Sequence, residues 1–155
     1  MTSKYQKPYQ SFFEKSLGYS IMSDPNQLDY IESILAPLNK SQIVFCEAKA
    51  GTGKTSMAVA SAYYMLTSMD KERDYTKILY FRNPVDVKET GFLPGGIDEK
   101  ENHLFTPFVD AINDVGVRLG NSQDLFKYMS NEKDPKIETF TTSHLRGKNF
   151  STPSI

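Results

Sequence analysis

One run carries the first chemistry that can be named: Ala48-Lys49-Ala50-Gly51-Thr52-Gly53-Lys54-Thr55. Gly51 and Gly53 let a backbone turn tightly and approach a ligand with no Cβ in the way. Amide N–H groups of such a turn converge on phosphate oxygens. Lys54 reaches β- and γ-phosphates as a point charge, and Thr55 places its hydroxyl on Mg2+. The candidates for holding a nucleotide's phosphates are Ala50, Gly51, Thr52, Gly53, Lys54, Thr55 and Ser56. Lys54 and Thr55 are the candidates for a catalytic role, and Thr55 is the candidate metal ligand. The strict phosphate-loop pattern (Walker A) opens with Gly; here Ala48 stands in that position, which the relaxed pattern admits.

Elements on both sides must position this loop. Gln42-Ile43-Val44-Phe45-Cys46-Glu47 predicts a buried strand ahead of it, and Ser56 to Met69 predicts a helix behind it. A helix N-terminus adds unpaired N–H groups and a partial positive charge where an anion would sit. Lys77-Ile78-Leu79-Tyr80-Phe81 reads as a second buried strand, so strand, helix and strand form a parallel, right-handed βαβ unit. Arg82, just past it, is a candidate for a phosphate or nucleic-acid contact, since strand carboxyl ends face the crevice of an open parallel sheet.

Upstream, Asp24-Pro25-Asn26-Gln27 is a helix start, with Asp24 capping and Pro25 at the first helical position. Leu28, Ile31, Ile34 and Leu35 give that helix one apolar face, and Pro37 ends it. Gln27 keeps two readings open: a capping-box partner, or the glutamine that reads adenine upstream of the loop in helicase-like ATPases. Residues 1–23 are a polar segment bearing Tyr5, Tyr9, Phe12, Phe13 and Tyr19, expected to pack its aromatics on the domain or to fray. Downstream, Asp98 to Glu101 opens a helix running to Gly120, with Pro107 inside it. Ser122 to Met129 reads as a short helix and Ile137 to Thr141 as a weakly alternating strand. Gly91-Phe92-Leu93-Pro94-Gly95-Gly96 is a turn whose two large apolar residues call for a docking place.

The bulk numbers set limits. A chain of 155 residues is by default one domain, and 24% charged with 39% hydrophobic residues fits a soluble globular protein. A net charge of -1 gives no global field for nucleic acid or anionic membrane. Cys46 is the single cysteine, so no internal disulfide forms. It reads as a small core residue. No stretch is long and apolar enough for a signal peptide or a bilayer span, and the expected location is cytoplasmic. His103 and His144 lack the spaced partners of a metal site.

Taken in order, Pro25-Asn26-Gln27-x-x-Tyr30, the phosphate loop, Arg82-x-Pro84, Gly91-Phe92-Leu93-Pro94-Gly95 with Asp98-Glu99-Lys100, and Arg146-Gly147-x-x-Phe150 resemble the PhoH-like P-loop ATPases. The wording Arg82-Asn83-Pro84-Val85 looks closest to that family's bacteriophage and related bacterial branch. The resemblance implies an α/β fold with a RecA-like P-loop NTPase core, a parallel sheet with flanking helices, over residues 24–155. It implies ATP or ADP with Mg2+ as ligands, Arg146 as a second basic candidate beside Arg82, and RNA or another single-stranded nucleic acid as a partner.

In the family, the Arg-Gly-x-x-Phe signature leads into the Walker B strand and its Asp-Glu pair, and no counterpart follows here. Residues 24–155 are accordingly expected to be the N-terminal part of a PhoH-like domain, incomplete at the C-terminus. ATP hydrolysis is then expected only in a complete form, with this chain forming a homo-oligomer or pairing with a missing C-terminal half. The alternative is a non-catalytic nucleotide-binding or protein-interaction module.

Overall fold

The computed structural model describes residues 7–37, 43–68, 75–83, 97–131, 133–142, 145, 147–150 and 153–155, with backbone alone over 97–104. The 91–96 turn, Pro84, His144 and Arg146 lie outside the described residues, as do the side chains of the Asp98–Glu101 cap and His103.

Helix α1 (Pro8–Ser11) runs directly into a π-helical turn, Phe12–Ser16, and a 3-10 turn, Ile21–Ser23, leads to α2 (Pro25–Ile34). The Asp24 carboxylate caps α2 by accepting from the N–H groups of Asn26 at 3.0 Å and Gln27 at 3.3 Å. Helix α3 (Lys54–Thr67) follows the phosphate loop, and strand β1 (Ile78–Arg82) comes next. Helix α4 (Ile97–Arg118) holds Pro107 in its interior. It stops because Gly120, at φ +79°, turns the chain left-handed. Gly120 N–H then bonds Val117 C=O at 3.0 Å and Asn121 N–H bonds Gly116 C=O at 2.9 Å, satisfying two orphan carbonyls. Helix α5 (Leu125–Met129), capped by Asp124, and strand β2 (Ile137–Thr141) complete the described elements.

β1 and β2 pair in parallel, with Ile78 opposite Ile137 and Arg82 opposite Thr141. The other edge of β1 is also taken. Leu79 N–H bonds Ile155 C=O, Ile155 N–H bonds Lys77 C=O, and Lys77 bridges Ser154 in parallel. This corrects the expected βαβ unit. Both edges of β1 being occupied, Ile43 to Glu47 cannot be its neighbour, and that run lies outside the sheet. Nor is the run buried: Ile43 is 74% and Phe45 93% exposed, and Cys46 is an exposed thiol rather than a core residue.

The core gathers Ile31, Met57, Ala60, Ile78, Phe108, Ile112, Val115 and Ile137 between the helices and one sheet face, with the Tyr80 ring stacked on Phe108 at 4.5 Å. The N-terminal aromatics join it. Phe13 and Ile21 are fully buried, and Phe12 stacks on Tyr63 of α3. On the other sheet face Phe81, Phe140 and Phe150 form an aromatic cluster, with the Lys148 ammonium 3.9 Å from the Phe140 ring centre.

A polar clamp fixes the N-terminal segment to α4. Tyr19 donates its hydroxyl to Asp114 at 3.0 Å, Arg118 Nε donates to the same carboxylate oxygen at 2.7 Å, and the guanidinium lies 4.6 Å over the Tyr19 ring. Burial first, then the Asp114 acceptor, pushes the Tyr19 phenol up to about 12. Neutral Tyr19 is the form the fold favours. Its contribution is therefore complete below the ordinary tyrosine value of about 10 and is lost as pH rises through about 12. An alkaline titration followed by phenolate absorbance should show a late-ionising tyrosine that Tyr19→Phe removes. Ionisation of Tyr19 together with the exposed tyrosines would count against the clamp.

Candidate functional site

The loop between residue 47 and α3 turns on two glycines. Gly51 sits at φ +79° and Gly53 at φ +85°, a left-handed region that favours glycine, so the Gly-x-Gly spacing serves a turn that side-chain-bearing residues enter only with strain. Gly53 is also the N-cap of α3, and no side chain caps that helix. Helices α2 and α5 have their first-turn N–H groups engaged by Asp24 and Asp124, whereas α3 has neither a side-chain cap nor an acidic residue in its first turn. Its uncapped N–H groups and dipole make the position suited to an anion.

Lys54 folds back along the loop, its ammonium donating to Ala48 C=O at 2.6 Å and Lys49 C=O at 2.7 Å. Thr52 donates its hydroxyl to Lys49 C=O at 2.9 Å, tightening the same turn. Thr55 is exposed at the start of α3 and Ser56 half-buried, while Ala50 is exposed on the loop.

Two cavities flank Lys54. One, of about 350 Å³, is lined on the α2 side by Asp24, Asn26, Gln27 and Tyr30 and on the loop side by Cys46, Glu47, Ala48, Thr52 and Lys54. Gln27 reaches Thr52 C=O with its amide nitrogen at 3.5 Å, so its side chain faces the loop. The other cavity, of about 470 Å³, runs from Lys54 and Thr55 along Ala58 and Ala62 to Leu79 and Ile155 and is mostly apolar.

Tyr30, Cys46 and Glu47 were not among the expected site residues, yet all three line the first cavity. The signal for Tyr30 was its place three residues after Gln27, on the same helix face. Burial first, then the neighbouring Cys46, holds the Tyr30 phenol above its ordinary range. Arg82 ends β1 and lines neither cavity.

Comparison with known proteins decides the family. The model of the PhoH-like protein family matches residues 21–155. The chain belongs to the PhoH-like family. It is 31% identical over 128 residues to the PhoH-like protein of Bacillus subtilis, covering 66% of this chain and 39% of that protein. It is 33% identical over 131 residues to Protein PhoH of Escherichia coli K12, covering 83% of this chain and 33% of that one. To the PhoH-like protein of Mycobacterium tuberculosis H37Rv it is 37% identical over 91 residues, 58% of this chain and 24% of the relative. The chain thus spans 39% and 33% of the length of the first two of these relatives. No solved structure matches. PhoH-like proteins are a P-loop ATPase family, and the mixed α/β architecture with its parallel strand pair agrees with that membership. No helix among the described residues is long and apolar enough to cross a membrane.

Proposed function

We propose that this chain binds ATP or ADP with Mg2+ through the loop at 48–55. The observation that carries the reading is the left-handed Gly51–Gly53 turn leading onto the uncapped N-terminus of α3, with Lys54 held along the loop. In this reading the amides from Ala50 to Ser56 cradle the phosphates, and Lys54 neutralises the β- and γ-phosphates. Gln27, which faces the loop from α2, contacts the adenine. The Thr55 hydroxyl is the protein's ligand to Mg2+. Among the described residues no group of His, Cys, Asp and Glu side chains could hold a metal by itself, so phosphate oxygens and water would supply the other ligands. The ion neutralises phosphate charge when bound. Arg82 and Arg146 are assigned to phosphate or to a single-stranded nucleic acid such as RNA, in a complete RecA-like ATPase.

Turnover by this chain alone is expected to be slow. Among the described residues, the carboxylates lining the two cavities are Asp24 and Glu47, and Asp24 is engaged in capping α2. This favours the reading in which ATP hydrolysis belongs to a complete form, with a further polypeptide supplying the catalytic acid. That polypeptide is a second copy, or the portion that the longer relatives carry. The exposed Ile43 and Phe45 offer it apolar surface. Phosphate release assayed on the purified chain should stay near background while labelled ATP still binds. Steady turnover abolished by Lys54→Ala would show that this chain, alone or paired with a second copy, supplies the catalytic acid. Absence of ATP binding would remove the proposal itself.

A further inference from the structure

The N-terminal segment also grips α2, the helix that carries Gln27 and Tyr30. Lys7 places its ammonium 2.8 Å from a carboxylate oxygen of Glu32, and the Tyr9 hydroxyl donates to the same oxygen. Tyr9 is 8% exposed and belongs to the core. Glu32 stands five residues beyond Gln27, about 140° around the helix, on the side away from the loop. Lys7, then Tyr9, holds the Glu32 carboxyl below its ordinary range, so the carboxylate form is the one gripped.

Helix α2 is lightly packed, with Leu28 and Tyr30 only partly buried against the core. Of its ten residues Ile31 alone is fully buried among the described residues. The segment that holds it is well anchored: Phe13 and Leu17 are buried, and Arg118 donates to Leu17 C=O at 3.0 Å. One mechanical chain therefore runs from the core through the N-terminal segment and Glu32 to α2, and from α2 through Gln27 to Thr52 of the loop. The approach there is close. A Cβ added at Gly53 would meet the Gln27 amide nitrogen at 3.8 Å, ordinary contact distance, and Gln27 and Tyr30 line the cavity opposite Thr52, so the placement of α2 sets its width.

We infer that Glu32 is a positioning residue for the base end of the nucleotide site: clamped by Lys7 and Tyr9, it sets the distance of Gln27 and Tyr30 from the phosphate loop. The inference rests on the nucleotide reading of that loop. Only the base end should depend on it, because the phosphate end is built by the loop and α3 alone.

The test uses the full chain and two probes, ATP and inorganic tripolyphosphate. Glu32→Gln and Tyr9→Phe should each weaken ATP binding about threefold to tenfold and leave tripolyphosphate binding unchanged. The exchanged pair Lys7→Glu with Glu32→Lys restores the ion pair but not the acceptor for Tyr9, so it should recover only the part of the ATP affinity that the Lys7 contact supplies. Melting curves on the same samples separate positioning from simple destabilisation. A lowered melting temperature with ATP affinity intact would overturn the inference, as would equal losses for both probes. A wild-type chain that binds neither probe would remove the nucleotide reading as well. A wild type that binds both, with variants that match it, would remove the clamp alone.

Discussion

Lys54→Ala is expected to weaken binding of Mg2+-ATP by roughly 1.5–3 kcal/mol, the range for hydrogen bonds to charged groups, which is about a tenfold to 150-fold rise in Kd. Lys54 is the one side chain in the loop whose charge can move from its own carbonyls to a triphosphate. Its ammonium sits on Ala48 and Lys49 C=O at 2.6 and 2.7 Å, so it exchanges those two hydrogen bonds for phosphate oxygens as the ligand enters. The fold should survive the change, since the lysine is half-buried at the mouth of two cavities and belongs to no core cluster. A titration with labelled ATP checks it, with a melting curve to confirm folding. Equal affinity for both proteins would sink the phosphate-loop assignment.

Phe13→Ala is expected to cost about 3–5 kcal/mol of stability, the usual range for emptying a buried phenylalanine site. Phe13 is fully buried. Its ring meets Phe12 edge-on at 5.5 Å and lies 6.3 Å from Tyr19, so alanine leaves a void bordered by rigid aromatics that cannot close over it. A loss of that size is a large part of the whole stability of a chain this long. Urea unfolding measures it directly. A change below about 1 kcal/mol would mean that the N-terminal segment is dispensable to the core.

The sequence showed some of this well, and the reason is locality. Asp24 before Pro25 marks a cap, and a cap is settled within four residues. The Gly51 and Gly53 conformations follow from the loop motif for the same reason, while α3 begins at Lys54, two residues before the expected Ser56. Gly120 stops α4 through two hydrogen bonds that span only a few residues. Strand pairing is not local, and there the reading failed. Ile43 to Glu47 has an apolar, β-branched composition, yet β1 already has its two edges filled by β2 and by Pro153 to Ile155. Nothing near residue 43 announces that. The Glu32 clamp was equally hidden, because its partners stand 25 and 23 residues away, beyond the 3-10 and π-helical turns. Gln27 is an intermediate case. Its spacing fitted both a cap and a ligand contact, and the direction of its side chain, toward Thr52 C=O, is not legible in the sequence.

Cys46 is exposed and lines the same cavity as Gln27 and Lys54, and it is the chain's single cysteine. A thiol-reactive dye therefore labels one place, beside the proposed nucleotide site, with no engineered cysteine and no competing background. The wild-type protein carries its own attachment point for a fluorescence assay of ligand entry. The same chemistry sets a handling rule. Oxidant can join two copies through Cys46 and block the cavity in both, so a binding stoichiometry taken without reductant would count cross-linked pairs as inactive protein.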